Sequence, residues 1–273
     1  MTKQNVIGIF DSGVGGITVL KELVVALPSH SFIYVADNYN CPYGPKGPEE
    51  IIRLSARITE FLIAEGCSTI VVACNTATAA AIDYLRANYS IPFVGMEPAV
   101  KPAALATITK SIGVLATAGT FNGRLYQETT SKYAKNINVH YQIGEGLVEL
   151  VEQGRSNSDD AYTLLLKYVE PMLKQNIDHL VLGCTHYPFF IPLLKKILPG
   201  NVQIVNPAPA VAKQAVRVQD GNESLLKINT TLNSPFTKFY STGEVAILKN
   251  LIAEIEVTEG IIFPKSEFKK IDI

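Results

Sequence analysis

The chain has 273 residues, enough for one large domain or two moderate ones. Hydrophobic residues at 47% and charged residues at 18% exclude a largely disordered chain, and 24 Lys+Arg against 25 Asp+Glu leave a net charge of −1. With no basic field to gather phosphates, no nucleic-acid partner is expected. The longest uncharged run, residues 66–82, falls just short of a bilayer crossing and carries polar residues at its middle, so no membrane partner is expected. A strand pattern begins at Val6 with no signal-peptide pattern before it, which makes the cytoplasm the expected location.

In chain order, short runs rich in β-branched residues at 6–10, 32–35, 69–73, 112–116, 139–143, 179–183 and 203–205 read as strands buried on both faces. Helical patterns alternate with them. Ile51, Leu54, Ile58, Phe61 and Leu62 share one helix face, and Ser158 or Asn157 can cap a helix that runs through Leu173. After Pro207, helices at 208–219 and 244–255 flank a short strand at 238–240. Between residues 38 and 48, Pro42, Gly44, Pro45, Gly47 and Pro48 prevent regular structure and commit a surface loop, either a connector or a carrier of ligand contacts. The alternation argues for an α/β fold with mostly parallel sheets covered by helices on both faces.

A long repeat is visible. Residues 7–12, Ile-Gly-Ile-Phe-Asp-Ser, resemble residues 112–117, Ile-Gly-Val-Leu-Ala-Thr, while residues 70–74, Ile-Val-Val-Ala-Cys, resemble residues 180–184, Leu-Val-Leu-Gly-Cys. The order is the same and the offsets nearly agree. The expectation is two similar three-layer α/β domains related by a pseudo-twofold, residues 1–96 plus 209–273 and residues 97–208. Their active site would lie in the cleft between them, with hinges near 95–98 and 206–209.

Ligands of open parallel sheets sit beyond the carboxyl ends of the strands. Four polar groups follow strands here: Asp11-Ser12, Cys74-Asn75-Thr76, residues 117–120 including Thr117 and Thr120, and Cys184-Thr185-His186. The glycines at 13, 15 and 16 allow backbone N–H groups to approach a carboxylate or phosphate, and a plain glycine turn is the alternative. Thr18 breaks the dinucleotide fingerprint.

The four cysteines, at 41, 67, 74 and 184, form no C-x-x-C pair, and the four histidines have no zinc spacing among themselves, so no metal is expected. Cys74 and Cys184 occupy equivalent positions in the two halves. Facing each other, with a helix start after each lowering its pKa, they would remove a proton from one face of a carbon and return one to the other. Asp11 and His186 stand beside them as assisting groups, and Asn75, Thr76, Thr117 and Thr185 can hold a substrate carboxylate. A Cys-x5-Arg phosphatase is excluded by Ala80 and Phe190. A Cys184–His186 hydrolase fits less well, because it would leave Cys74 without a task. No lysine follows a strand beside the glycine turn, so no pyridoxal cofactor is expected.

Residues 11–16, the stretch from Asp37 through Tyr43-Gly44, residues 73–77 and residues 183–188 together resemble the aspartate/glutamate racemases, most closely the bacterial glutamate racemases, in order over most of the chain. The resemblance implies a cofactor-independent isomerase that interconverts L- and D-glutamate and supplies D-glutamate for peptidoglycan. It assigns Cys74 to the D-glutamate face and Cys184 to the L-glutamate face, with Asp11 and His186 assisting. It gives substrate contacts to Asp11, Ser12, Tyr43, Gly44, Asn75, Thr76, Thr185 and His186, and matches Glu152 to a glutamate assisting on the second side. Where the family often has Cys-Pro before that helix, Gly144-Glu145 stands here. The resemblance also implies a possible homodimer. Aspartate as substrate, a one-thiol decarboxylase and a non-enzymatic amino-acid sensor are the alternatives.

Overall fold

A computed structural model describes residues 6–96, 99–225 and 234–273. In chain order the strands are β1 (Val6–Asp11), β2 (Ser31–Ala36), β3 (Thr69–Val72), β4 (Phe93–Gly95), β5 (Ser111–Ala116), β6 (Asn138–Ile143), β7 (His179–Gly183), β8 (Gln203–Val205), β9 (Thr237–Ser241) and β10 (Ser266–Lys270). They form two sheets, ordered β10-β9-β2-β1-β3-β4 and β6-β5-β7-β8, and the paired strands run parallel.

The repeat seen in the sequence is a repeat of topology. The order β2-β1-β3-β4 recurs as β6-β5-β7-β8, and β9 and β10 extend the first sheet beyond β2. In each half the chain leaves the first strand of the repeat toward one side and returns on the other. Two switch points result, one between β1 and β3 and one between β5 and β7. Residues 11–12 and 74–76 lie beyond one, and residues 117–120 and 184–186 beyond the other.

Burial explains why these segments are strands. Every residue of β1, β2, β3, β5 and β7 is buried, so a continuous apolar run fills both faces. One large core cluster reaches from Ile7 and Ile9 of the first sheet to Leu115, Leu180 and Leu182 of the second, while separate clusters cover the outer faces around Ile70 and Ile112. The helix Pro48–Ala64 buries Ile51, Leu54, Ser55, Ile58, Thr59 and Leu62 at intervals of three and four.

Several expectations need correction. β6 is an edge strand whose Tyr141 is 70% exposed, not a strand buried on both faces. The 38–48 segment opens with a 3-10 turn at Asn38–Asn40 and ends in Pro48, the first residue of a helix. The sequence pattern missed β4, only three residues long, and β10, whose Glu267, Lys269 and Lys270 face solvent at a sheet edge. Of the expected hinge at 95–98, Glu97 and Pro98 lie outside the described residues.

Candidate active site

Asp11 ends β1 and is fully buried. Its Oδ1 accepts from the Ser12 backbone N–H at 2.5 Å and from Ser12 Oγ at 3.1 Å, and its Oδ2 accepts from Thr185 Oγ1 at 2.9 Å. Burial raises its pKa above the usual carboxylate value, against the pull of His186 and the Thr185 bond. Cys74 caps the helix Asn75–Asn88, its Sγ accepting from the Ala77 N–H at 3.4 Å and lying 3.7 Å from Ser12 Oγ.

The helix start was expected to lower the Cys74 pKa. Burial instead pushes this thiol far up, Asp11 adds to the effect, and the single N–H of Ala77 does not compensate.

Cys184 leads into a turn, where the Tyr187 N–H bonds the Cys184 carbonyl and a 3-10 segment Tyr187–Phe190 precedes the next helix. Cys184 Sγ and His186 Nδ1 are 3.7 Å apart. His186 Nε2 meets Glu152 Oε1 at 2.6 Å. Burial alone would lower the His186 pKa, but its bonds to Cys184, Cys41 and Glu152 raise it well above the usual histidine value. The same ion pair holds Glu152 below the usual carboxylate range in spite of burial. Both shifts favour an imidazolium paired with a carboxylate.

Glu152 ends the helix Leu147–Glu152 and is not an exposed helix charge. The Val14 N–H donates to its Oε1 at 2.7 Å and Asn38 Nδ2 to its Oε2 at 2.5 Å. The glycine turn therefore does receive a carboxylate, and the carboxylate is the chain's own. Gly13 and Gly15 leave room for side chains: a Cβ on Gly13 would overlap Glu152, and one on Gly15 would overlap the His186 ring.

Thr76, Thr117 and Thr120 make a hydroxyl row between the halves, with Oγ1 atoms 2.8 and 2.9 Å apart in succession. Thr120 Oγ1 continues to the Gly183 carbonyl. Gly44 approaches Thr117, whereas the Tyr43 hydroxyl donates to Asp37 at 2.6 Å and the ring is buried. Asn75 keeps a buried side-chain oxygen with no hydrogen-bond partner. A cavity of about 250 Å³, lined by Pro42, Gly44, Pro45, Thr117, Gly144 and Val148 among others, adjoins the row.

Sequence reasoning missed Asn38 and the Val14 N–H, which fix Glu152, and Cys41, which reaches His186. The 38–48 loop was the available signal, but nothing in its composition says which of its residues turn inward.

The site has two buried thiols, each beside a titratable partner, at equivalent strand ends of a duplicated fold. The family model described as Asp/Glu/Hydantoin racemase matches residues 10–215. A glutamate racemase of Ectopseudomonas mendocina is 43% identical over 256 residues, covering 92% of this chain and 96% of that protein. The crystal structure of Francisella tularensis glutamate racemase in complex with D-glutamate superposes with a TM-score of 0.81 at 28% identity, covering 99% of this chain and 98% of that one. That of the Escherichia coli glutamate racemase in complex with L-glutamate and the activator UDP-MurNAc-ala gives 0.82 at 28% identity, covering 99% and 100%. With a family model matched over most of its length and relatives this similar end to end, the chain belongs to the Asp/Glu/Hydantoin racemase family.

Proposed function

We propose that the chain is a glutamate racemase that inverts the α-carbon of glutamate by proton transfer to and from Cys74 and Cys184, supplying D-glutamate for peptidoglycan. What supports this reading is the chain of contacts between the two thiol segments: Cys74 Sγ lies 3.7 Å from Ser12 Oγ, Ser12 bonds Asp11, and Asp11 accepts the hydroxyl of Thr185, the residue after Cys184. One thiolate takes the α-proton while the opposite thiol returns one to the other face, so the proton count is unchanged and the roles exchange for the reverse reaction.

Cys74 serves D-glutamate with Asp11 beside it, and Cys184 serves L-glutamate with the His186 imidazolium and Glu152 behind it. The Asn75 side-chain oxygen suits the substrate ammonium, and the hydroxyls of Ser12, Thr76, Thr117, Thr120 and Thr185 with the loop at Tyr43-Gly44 suit its carboxylates. Cys74 and Cys184 are 4% and 6% exposed, so the site excludes water as it stands and substrate entry requires it to open. Glutamate rather than aspartate is supported by the named relatives. No helix among the described residues is long and apolar enough to cross a membrane, which accords with a cytoplasmic enzyme, and a homodimer is the proposed assembly.

The test is incubation of the purified protein with each glutamate enantiomer in D2O, read by circular dichroism and α-hydrogen NMR. Loss of optical activity with deuterium at the α-carbon is the expected result. Binding without exchange identifies an amino-acid sensor, and faster exchange of aspartate than glutamate reassigns the substrate.

A further inference from the structure

We propose that Cys41, Glu152 and His186 form a binding site for a thiophilic divalent cation, Zn2+ above all, and that the bound ion blocks the Cys184 side of the reaction. Nothing in the reaction just described employs Cys41. Its Sγ, a Glu152 carboxylate oxygen and a His186 ring nitrogen all lie within 4.8 Å of one another. Sulfur, oxygen and imidazole nitrogen are the donors zinc takes, at roughly 2.0–2.3 Å each, and three protein ligands leave a fourth position for water. The residues come from three separate segments, so no sequence spacing announces the site.

The surroundings suit a cation. His186 Nε2 and Glu152 Oε1 are already 2.6 Å apart, and an ion would replace the proton they share. The Val14 N–H and Asn38 Nδ2 hold the carboxylate in place, as outer hydrogen bonds do for metal ligands. A Cβ on Gly13 would meet both the Glu152 carboxylate and Cys41 Sγ, so the glycine is what lets these two groups lie against the same turn. Access runs past Cys41, which is half-buried, and Glu152, whose side chain is 17% exposed; His186 itself is 1% exposed.

Binding releases the thiol proton of Cys41 and the Nε2 proton of His186, and forms sulfur–metal, nitrogen–metal and Glu152 oxygen–metal bonds with no change of oxidation state. With Nε2 on the ion, the ring keeps its remaining proton on Nδ1, which faces Cys184 Sγ at 3.7 Å. The ion thereby replaces the 2.6 Å His186–Glu152 bond and holds both assisting groups of the Cys184 side, which can no longer back that thiol. This second half rests on the racemase reading; the binding site does not.

The test titrates metal-free full-length protein with Co2+, whose bond to a thiolate gives a near-ultraviolet charge-transfer band, followed by displacement with Zn2+. One equivalent of Co2+ should produce the band. Cys41→Ser and Cys41→Ala, with the fold checked by near-ultraviolet circular dichroism, should lose it. Cys184→Ser should keep it, and Asn38→Ala should weaken binding about 10- to 100-fold. No band in the unaltered protein, a band that survives in both Cys41 variants, or one that disappears with Cys184 overturns the site. A protein that shows the band but does not racemise glutamate keeps the site and loses the proposed function. A protein that racemises at full rate with Zn2+ bound loses the inhibitory role.

Discussion

Thr185 donates its hydroxyl proton to Asp11 Oδ2 at 2.9 Å, joining strand ends of two different sheets across 174 positions of sequence. Thr18 reinforces the junction, its hydroxyl lying 2.9 Å from the Gly15 carbonyl and 3.0 Å from that of Thr185. The Asp11–Thr185 bond sits between the surroundings of the two thiols, and removing it should disturb both.

Thr185→Val keeps the shape and deletes the donor. Loss of one hydrogen bond to a buried carboxylate is worth about 1.5–3 kcal/mol, so kcat/KM for glutamate should fall about 10- to 100-fold. Thr185→Ser should restore most of it. Equal activity in the valine and native proteins would mean that the bond serves packing alone.

Either Cys74→Ser or Cys184→Ser should lower racemisation by about 10²- to 10⁴-fold, the usual worth of a positioned acid–base group. Steady-state rates in both directions measure this, and a variant of either cysteine that keeps full rate refutes the two-thiol reading.

Burial pushes Cys41 up to about 11 and Cys67 up to about 12, and it raises Cys74 further with help from Asp11. A raised thiol pKa delays the thiolate to higher pH. In Cys184→Ser, ultraviolet thiolate absorbance should therefore stay absent through the free-thiol range near about 8.5 and appear only above it.

Gly15→Ala would drive a methyl group into the His186 imidazole. Because the ring is pinned between Glu152 and Cys184, it must shift, and a displacement near 1 Å at a reacting group costs about 100-fold in rate. Gly200→Ala, which meets nothing within 4 Å, is the control and should be silent.

Asp178 stands at the opposite end of the second sheet. Burial tends to raise its pKa, but bonds from His179, Thr107 Oγ1 and the Ile108 and Thr109 N–H groups at 2.6–2.9 Å hold it well below the usual carboxylate value. The unfolded chain binds this proton at higher pH than the folded one. The contribution is therefore complete above the unfolded value near about 3.9 and is lost as the pH falls below it. Asp178→Asn should cost about 2 kcal/mol at pH 7 and progressively less as the pH falls below about 3.9, measured by denaturant unfolding.

Local rules carried much of this protein. Continuous apolar runs can be buried only on both faces, so β1, β2, β3, β5 and β7 were legible, and the duplicated Ile70–Cys74 and Leu180–Cys184 patterns disclosed a duplicated topology before any coordinates. β10 was not legible, because an edge strand needs a neighbour more than an apolar pattern. Nor was the turn after Cys184, where one backbone bond from Tyr187 brings His186 back toward the thiol. The tertiary structure alone decided that Glu152 lies against Val14, Asn38 and His186, and that Cys74 is driven up rather than down. Charge and hydrogen-bond energies depend on distance and on the water excluded around them, and residues 34 to 174 positions apart acquire both only when the two sheets pack.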